Sequence, residues 1–492
     1  MSLQTNNTAN AEAGFHLLRG SVGIFLSNLL ILPTGFITAV FLARRFGPAA
    51  YGLYALAARL ILWIEWTHSS LFTEAAIKLV SAEADWRPMG CAIIRVHFLV
   101  SLAVAASLWL LAPFLARFLG EPVMSGYLRL FAVEIPICGL ARSGINVMIA
   151  RGLYRQRALI NACRWTARLA LIVLFVEWGL SVPGAILGSI GASLLEMLVS
   201  IFFVRECFSS KAGLKGRKFW ALSTPLFLSS FSERFFRLDI FALKALGGTA
   251  AQAGFYGAAM NLTLPANLFS QSVSPPLLST LNQLLAREGQ AKADDIGGTT
   301  LRFIFCSLPL VAALAGCAEE IILLVFGSLY APAVPVFALL IFAAWCLVGI
   351  NLSRAMLTAL GRPRLALLLS GPMAPLAIIG YLLAIPRLGG VGAAMVTLLV
   401  SAAGALASLL AVHRCWRIPL PLKNTVRSTF CAALSFGLAF FSPTPGYMLI
   451  LKLAGIAIAI IIFYAFSGEI TAEEIRLVKS LLQLRKGVKN HP

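Results

Sequence analysis

The chain has 492 residues, 59% of them hydrophobic and only 12% charged, with a formal net charge of +20. Soluble domains carry about 25% charged residues, so half the charge needed to cover a water-facing surface is missing, and the mean hydropathy of +0.87 excludes an ordinary soluble fold. Such a basic balance would point to nucleic acid on a soluble protein; here the Lys and Arg residues fall in short connections between apolar runs, and a membrane protein is what remains.

Residues 1–20 read as a polar cytoplasmic segment. The first apolar run, about 21–43, is too long for a signal-peptide core and has no small-residue cleavage site, so it reads as a retained helix. Thirteen further spans follow at about 51–80, 91–115, 127–150, 158–179, 182–204, 221–246, 254–279, 300–326, 333–360, 365–385, 389–412, 426–442 and 447–466. Each approaches the roughly 20 residues that cross about 30 Å of hydrocarbon. The expected fold is an all-α polytopic membrane protein with about 14 transmembrane helices. Pro33, Pro225, Pro265 and Pro309 interrupt helices, as transporters tolerate where helices bend around a cavity. The nine cysteines show no C-x-x-C spacing and read as small buried hydrophobes. Residues 468–492 form a basic tail, within which Ala472–Lys486 is amphipathic and suited to an anionic leaflet.

Orientation follows from the basic residues of the connections. One side carries Arg151, Arg155, Arg157, Lys211, Lys215, Arg217, Lys218, Arg362, Arg364, Arg414, Arg417 and Lys423; the other carries mainly Arg44, Arg45, Arg117, Lys244 and Arg387. The bias places both termini in the cytoplasm and predicts a multi-pass protein of the bacterial inner membrane.

The chain also resembles itself. Phe41, Arg44, Gly47, Gly52, Tyr54 and Ala57 match Phe241, Lys244, Gly247, Gly254, Tyr256 and Ala259; Leu153, Arg155 and Arg157 match Leu360, Arg362 and Arg364; Gly184 and Ala185 match Gly392 and Ala393. Six helices per repeat is an even number, so both copies enter the membrane in the same direction, about an axis along its normal. The expected domains are therefore a first lobe at 21–210, a second at 219–415, and an extra helix pair at 424–467.

The stretch from Leu42 to Ala57 (LARRFGPAAYGLYALA) resembles the first-to-second-helix signature of bacterial polysaccharide flippases. Its partner, Asp239 to Gly248 (DIFALKALGG) followed by Ala253 to Ala259 (AGFYGAA), is similar to that family's seventh-to-eighth-helix signature, and Val325 to Ala331 (VFGSLYA) also looks familial. The chain thus resembles the Wzx-type flippases of the multidrug/oligosaccharidyl-lipid/polysaccharide (MOP) exporter superfamily over about residues 15–415. That resemblance implies two six-helix lobes in a V around a cavity, and transport of undecaprenyl-diphosphate-linked sugars to the periplasmic leaflet. The extra helix pair departs from the usual twelve-helix form and is similar in number to the peptidoglycan-precursor flippases.

Ionisable residues inside the spans need an explanation, because each costs several kcal/mol unless paired or hydrated. Glu233, Arg234, Arg237 and Asp239 cluster on the seventh span, and Glu134, Cys138 and Arg142 share a face of the fourth at i, i+4, i+8. Arg142, Arg234, Arg237, Arg59 and Arg354 are the candidate cavity residues, since Arg holds a diphosphate in bidentate fashion. Glu65, Glu233 and Asp239 are the candidate ion-coupling carboxylates. The bland alternative for each is local charge neutralisation, and an intrahelical Glu233–Arg237 pair is its simplest case. Glu74 and Lys78 read as a structural i, i+4 pair, Arg129 as a snorkelling residue, Glu319 and Glu320 as residues of the outer boundary, and His68 as the one histidine deep enough to carry a proton.

No Walker A loop, metal-ligand spacing or catalytic triad stands out, so no enzyme and no cofactor are expected. The expected partners are an undecaprenyl diphosphate-linked oligosaccharide and membrane lipids, with a proton or sodium ion and the glycan polymerase machinery as further candidates. Two alternatives are a lipid II flippase and a cation-coupled multidrug exporter of the same superfamily.

Overall fold

The structure is a computed structural model that describes residues 27, 29–83, 85–209, 219–220, 223–224, 239–287, 289–362, 365, 368–369, 371–416, 422–444 and 446–467, apart from the side chains of Glu74, Arg287 and Leu422. Among these residues every regular element is helical. A chain this apolar has that outcome forced on it, because hydrocarbon offers no partner to backbone N–H and C=O groups and the helix satisfies them internally. Among the described residues, eight helical stretches are long and apolar enough to cross a membrane. The first, α1 (Ile31–Ser81), has 51 residues. Straight, it would be about 76 Å long, well over twice the hydrocarbon thickness. It breaks at Gly47, whose φ of 73° and ψ of 174° are non-helical.

The remaining helices are α2 (Trp86–Phe118), α3 (Met124–Ala132), α4 (Glu134–Ala150), α5 (Tyr154–Phe175), α6 (Ser181–Val204), α7 (Asp239–Ala245), α8 (Ala250–Leu262) and α9 (Leu264–Arg287). They continue with α10 (Gln290–Cys306), α11 (Leu308–Gly316), α12 (Ala318–Phe326), α13 (Val334–Ala359), α14 (Met373–Trp416), α15 (Leu422–Phe441) and α16 (Met448–Phe466). A π-helical turn at Val176–Leu180 joins α5 to α6, and α14 breaks at Gly389. The chain divides into two compact units: Met1–Pro265 with Phe326–Val336 and Leu367–Val400, and Ala266–Val325 with Phe337–Ala366 and Ser401–Pro492.

Within the first unit, α1 crosses α8 at van der Waals contact between backbones. A Cβ on Gly52 would stand 2.0 Å from the Ala250 carbonyl oxygen, and one on Gly254 would stand 2.0 Å from the Pro48 carbonyl oxygen. Gly52 matches Gly254 in the repeat, and the same register matches Pro48 to Ala250. The contact is therefore reciprocal, as a two-fold relation requires. Ala55 and Gly257, matched in the same register, face each other with Cβ positions 3.1 Å apart. Local geometry repeats elsewhere. Gly152 and Gly361 end their helices with φ of 74° and 72°. The chain reverses over each with the same pair of hydrogen bonds: Gly152 N to Ile149 O and Leu153 N to Met148 O, against Gly361 N to Thr358 O and Arg362 N to Leu357 O.

The second unit contains the last helix pair. Lys452 on α16 donates to both carboxylate oxygens of Glu320 on α12, at 2.9 and 2.8 Å, and to the Ala439 carbonyl at 2.7 Å. The Thr444 backbone N–H donates to the same carboxylate at 2.6 Å. Glu320 thus clasps α16 and the turn before it to α12. Tyr464 donates to Ser428 at 3.0 Å, and Gly316 on α11 lets the α15 backbone at Phe436 approach.

The α1–α8 crossing makes a direct prediction. Gly254→Ala places a methyl against backbone that cannot yield, and overpacking of this kind costs about 1–3 kcal/mol. Thermal unfolding in detergent should show a lower Tm for Gly254→Ala, while Gly126→Ala, which meets nothing within 4 Å, should match the wild type.

Candidate functional site

Helix α4 places Glu134, Cys138, Arg142 and Asn146 at four-residue intervals on one face, as the helical period requires. The face turns inward: Glu134 is 3% exposed, Asn146 4% and Cys138 fully buried. It meets Glu65 of α1, Arg164 of α5 and Glu196 of α6. Glu134 Oε1 accepts from the hydroxyls of Ser189 at 3.1 Å and Ser193 at 2.7 Å, two residues one turn apart on α6. Arg164 Nε lies 3.0 Å from Glu196 Oε2, a close ion pair whose angle falls short of a hydrogen bond. Arg164 also donates to Ser193 Oγ at 3.4 Å. Arg168 donates to the Tyr54 hydroxyl.

Glu65, 2% exposed, lies within electrostatic range of Arg142, Arg164 and Glu134 and beside the Cys138 thiol. Arg142 in turn feels Arg164, Glu196 and Glu65. Arg142 and Arg164 thus lie among Glu65, Glu134 and Glu196, with Arg157 within electrostatic range of Arg142. The partners are nevertheless incomplete. Glu65 Oε1, Arg142 Nε and Asn146 Nδ2 are buried and make no hydrogen bond. Buried groups left in this way cost about 1–3 kcal/mol each, so the network holds donors and an acceptor ready for an incoming group.

A histidine pair adjoins it. His68 Nδ1 donates to the Ile64 carbonyl at 2.9 Å, since a carbonyl can only accept, and its Nε2 lies 3.1 Å from Ser101 Oγ. Ser101 also lies 2.7 Å from the His97 carbonyl, so its one proton serves two acceptors. His97 is fully buried, stacks on Phe72 with centroids 4.1 Å apart, and leaves both ring nitrogens without a hydrogen bond. The expectation that His68 alone lies deep is therefore corrected.

A second polar cluster in the same unit surrounds Asp239, which is 6% exposed. Tyr256 donates to Asp239 Oδ2 at 2.9 Å, its oxygen lies 3.3 Å from Thr397 Oγ1, and the Tyr381 hydroxyl lies 3.0 Å from that same Oγ1. Arg59 of α1 is within electrostatic range of Asp239 and Tyr256. Lys244 pairs with Glu121 at 3.0 Å.

Of the residues expected from the sequence, Arg142 and Glu65 share the first network, and Arg59 and Asp239 share the second cluster. Arg354 belongs to the second unit, half-buried on α13, where its carbonyl accepts from Thr358 at 2.8 Å. Glu233, Arg234 and Arg237, and the side chain of Glu74, lie outside the described residues. Arg164, Arg168, Glu196 and His97 were missed. Arg164, Arg168 and Glu196 were detectable as ionisable residues inside the apolar spans at 158–179 and 182–204. Arg129 sets its guanidinium over Trp109, 4.5 Å from the ring centroid.

Multiple long apolar helices define a multi-pass membrane protein, and its fold has solved counterparts. It is similar to the lipid II flippase MurJ in an inward closed conformation, with a TM-score of 0.76 and 16% identity over 92% of this chain and 99% of that one. It is also similar to an inward-facing multidrug resistance MATE family transporter of the MOP superfamily (TM-score 0.60, 13% identity, 85% and 99% covered). The Vibrio cholerae MATE transporter VcmN in its bent form matches at a TM-score of 0.53 and 16% identity over 83% and 98%. At such identities the likeness is one of fold. No curated protein sequence matches the chain. Residues 17–335 match the family described as "Polysaccharide biosynthesis protein", and the chain belongs to that family.

Removing one member of a buried ion pair leaves an uncompensated charge and costs about 3–5 kcal/mol. Glu196→Gln and Arg164→Met should therefore each lower Tm strongly. The double substitution should recover most of the loss, and a strictly additive double mutant would show that the pair is not coupled.

Proposed function

We propose that the chain is a flippase that carries an undecaprenyl-diphosphate-linked oligosaccharide from the cytoplasmic to the periplasmic leaflet of the bacterial inner membrane, for surface or exo-polysaccharide synthesis. Its topology in this reading has fourteen helices, two six-helix lobes and a C-terminal pair, with both termini cytoplasmic, as the loop charges favour. The observation that carries the proposal is the buried network of the first unit in a chain of this family. Arg142 Nε and Asn146 Nδ2 are buried donors with no protein partner, the chemistry a diphosphate would use. Arg59, Arg234, Arg237 and Arg354 are assigned the same task.

The mixed charge of the network fits the step that follows. A diphosphate entering among mixed charges must displace a carboxylate from an arginine, and Glu65, with one oxygen already unpartnered, is the one placed to yield. A carboxylate that exchanges an Arg partner for a proton or sodium ion links ion flow to the lobes' change of state. Glu65, Glu233 and Asp239 are the candidates for that exchange. A lipid II cargo is the second reading, favoured by the MurJ-like fold; it shares the polyprenyl diphosphate and differs in the sugar.

Two outcomes test the reading in cells that depend on this chain for glycan export. Arg142→Ala should abolish export while the protein accumulates normally, and Arg142→Lys should restore part of it, because charge is kept and the bidentate fork is lost. Full export by Arg142→Ala contradicts the assignment. Alternating access also requires the α1–α8 crossing to part on the outward side. The 3.1 Å between Cβ positions at Ala55 and Gly257 is close to the roughly 3.5–4.5 Å of a disulfide. Ala55→Cys with Gly257→Cys should crosslink under oxidation and stop transport, and reduction should restore it. Transport at full rate by the crosslinked protein would exclude opening at this point.

A further inference from the structure

The buried histidines of α1 and α2 are one proton short of a complete hydrogen-bond set. His68 Nδ1 donates its hydrogen to the Ile64 carbonyl at 2.9 Å, so Nε2 of the neutral ring can only accept. Ser101 Oγ stands 3.1 Å from that nitrogen and 2.7 Å from the His97 carbonyl oxygen, which also only accepts. Two short contacts therefore share one hydroxyl hydrogen. Whichever acceptor it serves, the other faces a lone pair. A proton on Nε2 completes the set, with Nδ1–H donating to Ile64, Nε2–H to Ser101 and the hydroxyl to His97. The same proton on the His97 ring would find no such place, because both of its nitrogens are buried without a hydrogen bond.

The histidine site lies against the charged network. Gly139 of α4 makes room for Ser101, since a Cβ there would stand 2.1 Å from the hydroxyl oxygen. Arg142 follows one turn later on α4 and lies within electrostatic range of both histidines. Of the other titratable groups on the helices packed here, Glu65 stands one turn before His68 on α1, and Cys138 adjoins Gly139 on α4. Two cations side by side in a buried site repel each other, so Arg142 opposes the completing proton. The two negative charges of a diphosphate on Arg142 would outweigh the single one that Glu65 supplies there, and would cancel that opposition. Proton and diphosphate are then linked, and by reciprocity each strengthens the binding of the other.

We propose that His68 and Ser101 form a proton-binding site that fills when the cargo's diphosphate settles on Arg142. The proposal rests on the flippase reading and deepens it, adding a proton held by an imidazole to the carboxylates assigned to ion exchange.

Calorimetry of the full-length protein in phosphatidylcholine nanodiscs provides the test, with undecaprenyl-diphosphate-linked N-acetylglucosamine as the ligand. Its diphosphate is a diester and lacks the second ionisation, near about 6, of a terminal phosphate, so protons taken up on binding enter the protein. Titrations in two buffers of different ionisation enthalpy count them. The wild type should take up about one proton per ligand near neutral pH, and its Kd should rise by up to about tenfold per pH unit between about pH 6 and 8. His68→Gln should lose both effects. Ser101→Ala, which leaves Nε2–H without an acceptor, should shift them to lower pH. Binding without proton uptake in the wild type, or uptake unchanged in His68→Gln and Ser101→Ala, overturns the proton site. Uptake lost only in Glu65→Gln assigns the proton to the carboxylate and overturns it as well. Flipping of a fluorescent lipid-linked oligosaccharide is measured in proteoliposomes of the same variants. Flipping without proton-linked binding overturns the proton site alone. Proton-linked binding without flipping overturns the flippase reading, and the loss of both overturns the two together.

Discussion

Keeping ionisable side chains inside hydrocarbon-spanning helices is the constraint on which the first unit depends. Each charge of the network costs several kcal/mol to desolvate, and only close pairing offsets it. Between helices surrounded by lipid, apolar contact supplies little drive for association, so small residues and polar contacts must hold the bundle. The chain shows both devices on the same helices. Gly139 and Gly144 of α4 let Ser101 of α2 and Ser200 of α6 approach within van der Waals reach, Gly188 of α6 lies against the α5 backbone at Ile172, and Glu134 ties α4 to two serines of α6. The pairing of Arg164 with Glu196 fixes α5 on α6. Packing and charge therefore specify one arrangement of α1, α4, α5 and α6.

The same constraint suits the network to the proposed transport. A structural core would gain nothing by leaving Glu65, Arg142, Asn146 and His97 short of partners. A transporter needs such groups, because its cargo must find interactions in one state that are absent in another. The cluster around Asp239 is the contrast. Its carboxylate is engaged by Tyr256 and by the Ile240 backbone N–H at 3.0 Å, and the hydroxyls of Thr397 and Tyr381 extend the chain of bonds. It lies beside the reciprocal α1–α8 crossing, where Gly257 approaches both Ala55 and Ile240.

Much of this was legible in the sequence, for physical reasons. Apolar runs of membrane-crossing length leave little choice but helices, and the glycine pairs that betrayed the internal repeat are the residues that later meet at the crossing. Gly52 and Gly254 stand out in sequence because no larger residue fits against a carbonyl oxygen. The i, i+4, i+8 spacing of Glu134, Cys138 and Arg142 put them on one face without any coordinates. What stayed hidden was pairing across the chain. Arg164 and Glu196 lie on adjacent helices, but nothing in either span says that they face each other. The pairing of Glu320 stayed hidden because its partner, Lys452, lies in a helix that the repeat does not contain. His97 was passed over because depth within a span says nothing about which side of a helix is covered.

The account stands or falls on whether the protein moves a polyprenyl diphosphate-linked glycan between leaflets. Purified protein in proteoliposomes, with a fluorescent lipid-linked oligosaccharide and a membrane-impermeant quencher, measures this directly. The account predicts rapid loss of the protected fraction with the wild-type chain, and retention of that fraction in protein-free vesicles and with Arg142→Ala. A protected fraction that decays no faster with the wild-type protein than without it, with and without imposed proton and sodium gradients, would contradict the account.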